Sequence, residues 1–206
     1  MTAFEESTSA RPTIGPAAGR KRRRLLADKS LPPESGDGRQ RFPIPVHFQR
    51  MRTVHEAAGG DAGLLRLARA WHARVMADDV VRHAFSHGFH PEHSERLAAY
   101  WAEALGGPTT YSAAYGDETS VVRMHSGNGP HEEMDRRAIA CFDLALADVS
   151  LGDNERVRQV LHDYFAWATT TTMSRYHRSA DDVPDDLPIP HWSWDGLVSS
   201  RGPEDD

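Results

Sequence analysis

From residue 61 onward the apolar side chains recur at intervals of about three and four, the repeat that lines one face of an α-helix. Leu64, Ala68, Trp71 and Val75 form one such face, with His72 at its edge and Asp61 expected to cap the helix. A shorter helix, Met51 to Ala58, precedes it and stops at Gly59-Gly60. After a turn of helix over Val80 to Phe85 and the loop Ser86-His-Gly-Phe-His-Pro91, Pro91 suits a first helical position. His93, Leu97, Tyr100 or Trp101, and Ala104 then share one stripe, so a histidine heads an otherwise apolar face.

That helix stops at Gly106-Gly107-Pro108, and a further helical segment ends at Met124-His125, just before the breakers Ser126-Gly-Asn-Gly-Pro130. Met134, Ala138, Phe142, Ala145 and Val149 mark a long helix. Val157, Leu161, Tyr164, Ala168 and Thr171 mark another, opened by Asp153. No alternating apolar pattern of the strand type is present, so the domain is predicted to be all-α.

The ends of the chain are different. Residues 1–45 hold six prolines with scattered Gly and Ser and no apolar period, which predicts a disordered extension. The domain is expected over 46–178. Beyond it, 179–206 is acidic and proline-rich, but His191-Trp-Ser-Trp194 predicts that part of this tail folds back, because two indoles are costly to leave in water.

Composition narrows the function. The 206 residues, 39% hydrophobic and 26% charged, suit one globular domain with tails. Residues 1–50 carry ten Lys and Arg against five Asp and Glu, so the formal net charge of −6 leaves the remaining chain at −11. An acidic body is a poor surface for nucleic acid, and the run Arg20-Lys-Arg-Arg-Arg24 reads as a solvated arm. The single Cys141, expected to be a buried small apolar residue, excludes an internal disulfide and fits a reducing cytosol. No apolar run reaches the roughly 18 residues that span a bilayer, nor does an apolar segment follow the basic cluster as in a signal peptide.

Twelve histidines raise the question of a metal. His87, His90 and His93, three residues apart, suggest a zinc comb, but Gly88 and Pro91 put the first two in a loop. His83 and His131 have no distinctive context and are expected at the surface. His125 is different, because an imidazole fixed at a helix end can offer one ring nitrogen to a metal while a backbone carbonyl orients the other. One such histidine is all that haem iron requires on its proximal side.

Taken in order, Glu56-Ala-Ala-Gly-Gly60, Trp71-His72, Phe85, His93-Ser-Glu-Arg-Leu97, Gly106-Gly-Pro-Thr-Thr-Tyr-Ser112 and Arg123-Met-His125 resemble the truncated haemoglobins, most closely their second group. The resemblance covers roughly residues 51 to 175. It implies a two-over-two helical sandwich around haem b, with His125 as iron ligand, Phe85 as the aromatic wedge and Leu97 on the distal side. Trp71, Trp101, Met124 and Ile139 complete the expected cofactor contacts.

Two positions depart from the family: His72 stands where a Tyr usually bonds bound oxygen, and Ile139 where the second group carries a Trp. His93 is expected to contact the ligand in partial replacement. The resemblance implies binding of oxygen, nitric oxide or another diatomic molecule. Oxidation of nitric oxide to nitrate or peroxidase-like turnover would draw on an external reductase, since none is fused to the chain. A haem-based sensor or interaction module is the alternative, and a helical domain without haem is a third. The cytoplasm is the expected location, with no nucleic-acid or membrane partner.

Overall fold

The computed structural model describes residues 52–127, 131–172 and 178–198. The chain divides into Met1–His47 and Phe48–Asp206, and all the described residues belong to the second unit, so the expectation for the N-terminal extension lies outside them. Seven α-helices are described: α1 Val54–Ala57, α2 Gly60–Ala77, α3 His93–Ala104, α4 Thr110–Ala114, α5 Glu118–His125, α6 Glu132–Asp148 and α7 Glu155–Trp167. A 3-10 turn, Val81–Phe85, follows α2, and a π-turn, Ala168–Thr172, continues α7.

Local chemistry sets the ends of these helices. Thr53 and Glu56 form a reciprocal capping box at α1. Gly59, left-handed at φ 88°, caps α2, whereas Asp61 was the expected cap. Asp61 instead pairs with His55 at 2.7 Å, because two consecutive left-handed glycines move the start of the helix two residues earlier. At α7 the cap is Asn154, whose side chain accepts from Arg156 and Val157, and not Asp153. Gly107 has a packing reason: a Cβ there would lie 2.7 Å from the Ala102 carbonyl and 2.8 Å from the His55 ring.

Helices α2 and α3 lie against each other, and α2 also packs on α6, which packs on α7. Between the two pairs sits an aromatic core. Phe142 and Phe165 stack at 4.1 Å, and Trp101 meets both edge-on at 5.4 and 5.9 Å. Trp71 joins from α2, its indole donating to the Ala138 carbonyl. Cys141 is buried beside Val75, Val81 and Ala138, as its sequence context predicts. Among the described residues no helix is long and apolar enough to cross a membrane.

The C-terminal segment is ordered against this body. The Thr119 hydroxyl donates to the Pro184 carbonyl and accepts from the Leu187 amide, and Arg123 pairs with Asp185 at 2.7 Å. Trp192–Ser193 and Gly196–Leu197 then form a two-stranded antiparallel hairpin. Its indoles return to the helices: Trp192 packs on Tyr164 and Trp167, and Trp194 donates to the Arg52 carbonyl at 2.6 Å. This hairpin is the only β-structure among the described residues, and it lies in the C-terminal tail, outside the all-α domain expected over 46–178.

Candidate functional site

Four rings from four consecutive segments converge. His72 on α2 and His93 at the start of α3 have centroids 4.9 Å apart. Phe85, closing the 3-10 turn, meets each of them edge-on at 5.3 Å. Phe89, in the loop before α3, lies 4.6 Å from His72 and 6.0 Å from His93. The Nδ1 atoms of both histidines are buried and make no hydrogen bond.

Burial disfavours a charged imidazole, so His72 holds its proton less tightly than usual. His93 is lowered to about 4, first by burial and then by the charges of His72 and His125, with Glu95 opposing. Both are therefore neutral near pH 7. His72 and His125 both act on His93, so each lies within electrostatic reach of it.

His125 ends α5, as its place before Ser126 predicts. Its Nδ1 lies 2.7 Å from the Val121 carbonyl, one helical turn back. A carbonyl only accepts, so Nδ1 carries the proton and Nε2 is the basic nitrogen. The side chain is open to solvent, yet burial is the largest influence on its basicity and lowers it. That donor set fits haem: a neutral imidazole of fixed tautomer at His125, and a pair of buried imidazoles with unbonded Nδ1 atoms beside Phe85.

The other expected contacts are spread more widely. Leu97 and Ile139 are half-buried against the core, and Trp71 is half-buried between Phe85 and Trp101. Trp101 is 3% exposed within the Phe142–Phe165 stack, and Met124 is 72% exposed. His90 accepts from the Glu92 amide at 3.0 Å in its own loop, while His87 is exposed. His131 is not a surface residue: half-buried, it bonds Asp135 at 2.7 Å one turn into α6.

Three features had escaped the sequence reading. Phe89 is the one aromatic side chain in the His-Gly-Phe-His-Pro loop, which could have marked it. Glu118 is 3% exposed and bonded to Tyr100; its spacing with Val121, Val122 and His125 puts all four on one helical face. Glu103, also buried, accepts from both the amide and hydroxyl of Ser112, holding α4 to α3.

Comparison with known proteins identifies the family and the fold. The model of the bacterial-like globin family matches residues 53–170, more than half of the chain. The thermostable hemoglobin of Thermobifida fusca superposes with a TM-score of 0.51 at 28% identity, covering 59% of this chain and 97% of that one. The hemoglobin of Chloroflexus aurantiacus gives 0.50 at 29% identity, covering 60% and 99%. A group II truncated hemoglobin from Bacillus anthracis gives 0.49 at 19% identity, covering 61% and 98%. No curated protein sequence matches. The resemblance to truncated haemoglobins drawn from the sequence is borne out as a bacterial globin fold.

Proposed function

Because the chain belongs to the bacterial-like globin family, we propose that it holds haem b through His125 and receives oxygen or another diatomic ligand beside His93 and His72. Haem, when bound, supplies the iron and its gas-binding and redox chemistry. The observation that carries the assignment is the Nδ1–H of His125 donating to Val121, which leaves Nε2 as the coordinating atom. The single buried Cys141 offers no pair of thiols for covalent attachment, which favours haem b. Within the truncated globins we place it nearest the second group, on the two Gly-Gly breaks and the distance from Gly106-Gly-Pro to His125.

The work of the chain's own residues follows from their charge and contacts. His93, uncharged because it is buried, donates a hydrogen bond from one ring nitrogen and keeps the other as a lone pair. With haem bound it would donate that hydrogen bond to a polarised diatomic ligand or, with no gas present, offer its own lone pair to the iron. His72 orients His93 from 4.9 Å and adds a second polar contact. Phe85 excludes water from both. Trp71, Leu97, Trp101, Ile139 and Met124 are the further residues that would contact the cofactor. Oxidation of nitric oxide to nitrate, or peroxidase-like turnover, would run in the cytoplasm with an external reductase.

Absorption spectra of ferric, ferrous and CO-bound protein test this directly. His125→Gly is expected to abolish haem retention, or to make it depend on added imidazole. Unchanged haem content and spectra in that variant would sink the assignment.

A haem-based sensor is a second reading, favoured by one observation: Thr119 and Arg123, on the helix that carries His125, are tied to residues 183–187. A sensor should show faster amide exchange in that C-terminal segment on CO binding. Equal exchange with and without CO excludes it.

A further inference from the structure

Phe89 is an unusual residue to leave in water. It is 48% exposed, yet its inner edge touches every member of the ring cluster, His72, Phe85 and His93. Centroid separations of 4.6 to 6.0 Å are contact distances for aromatic pairs, so the cluster is closed on the side that Phe89 covers. The Nδ1 atoms of the two histidines that it meets are buried and make no hydrogen bond.

The loop is built to let this ring turn. Gly88 stands at φ +88°, and a Cβ there would meet nothing within 4 Å, so the backbone reverses in open space. The neighbours are tied: Gly88 N–H donates to the Phe85 carbonyl, and His93 N–H to that of His90. Phe89 thus projects from a turn pinned on both sides, with solvent on its outer face. Its ring can leave the cluster without unfolding the turn.

We propose that Phe89 is the gate of the distal pocket and sets the size of ligand admitted to His93 and His72. This rests on the haem-globin reading above. A small opening of a packed ring is populated far more often than a wide one, so a diatomic molecule passes on excursions that exclude a longer ligand. The on-rate of the longer ligand is thereby scaled by the fraction of time the gate stands wide.

Full-length protein with haem, mixed with CO or with n-butyl isocyanide, tests the gate. Phe89→Ala is expected to raise isocyanide association about tenfold and CO association by much less, if wild type is wide open about a tenth of the time. Phe89→Trp should slow the isocyanide. Equal acceleration of both ligands, or of neither, overturns the size filter.

A haem-independent measurement separates this from the parent reading. Diethyl pyrocarbonate, scored by mass spectrometry on the protein as purified, should modify His72 and His93 faster in Phe89→Ala, with the exposed His83 and His191 unchanged as internal references. If the protein takes up no haem but this acceleration is seen, the haem reading fails and Phe89 still covers the histidines. If haem binds and neither modification nor isocyanide rate responds, the gate alone fails.

Discussion

The Tyr100 hydroxyl donates a 2.7 Å hydrogen bond to Glu118 Oε2, joining α3, which carries His93, to the first turn of α5, which carries His125. The carboxyl is 3% exposed, and the Tyr164 hydroxyl nearby is buried with no hydrogen-bond partner. Burial pushes Glu118 up to about 7; Asp117 adds to the rise and the Tyr100 bond opposes it. The same burial raises Tyr100 and Tyr164, so both phenols stay neutral. A buried acid that titrates near neutrality therefore stands between the two helices that present the imidazoles.

Glu118 should make stability fall with rising pH. In the unfolded chain the carboxyl ionises near its ordinary 4.5, and in the fold near 7. A raised value means that the contribution is intact below 4.5 and is lost as pH climbs through 7. Glu118→Gln keeps an acceptor for Tyr100 and removes the charge, so it should gain on the order of 1 to 3 kcal/mol over wild type at pH 8 and little at pH 5. Urea midpoints across that range measure it. Parallel profiles for the two proteins would show that Glu118 is not the titrating group.

The distal imidazoles should differ in weight. With haem bound, His93→Leu is expected to raise the oxygen dissociation rate about tenfold, equivalent to roughly 1.4 kcal/mol for one hydrogen bond to a polarised ligand. His72→Leu should do less, because it acts on the ligand partly through His93. Stopped-flow displacement of oxygen by CO reads both. A dominant effect of His72→Leu reverses the roles, and indifference to both returns them to ordinary core histidines.

Deleting residues from His191 onward removes the half-buried Trp192 and Trp194, the bond from Trp194 to Arg52 and its contact with Arg156 at 4.8 Å. At roughly 1.5 to 3 kcal/mol for a fully buried large side chain, two half-buried indoles should together cost about 2 to 3 kcal/mol. A lowered urea midpoint is expected. Strong acrylamide quenching of both indoles in the intact protein would contradict the packing.

Periodicity carried far in this chain because helices report their buried face locally. The stripes through Leu64, Ala68 and Val75, and through Ala138, Phe142 and Ala145, are the faces found inside. His125 was equally legible, since a lone histidine ahead of helix breakers needs only its own turn to find the Val121 carbonyl. The caps were less so. Asp61 and Asp153 are good capping residues, but the left-handed Gly59 and the side chain of Asn154 took those places.

What the sequence determined by itself is therefore the longer helices, their apolar faces, the breaks between them and the imidazole at the end of α5, all properties of residues within one or two turns of each other, whereas the short α4, Thr110–Ala114, formed where a loop was expected. Tertiary structure alone decided which polar groups meet across long separations. Glu118 looks like an ordinary acid in a first helical turn until Tyr100, eighteen residues earlier, is folded against it. Phe89 looks like a loop residue until α2 brings His72 beneath its ring. Thr119 meets the C-terminal segment from 65 residues away. Such partners leave no periodic trace, because a contact between helices depends on their packing and register in space, which no spacing along one helix encodes.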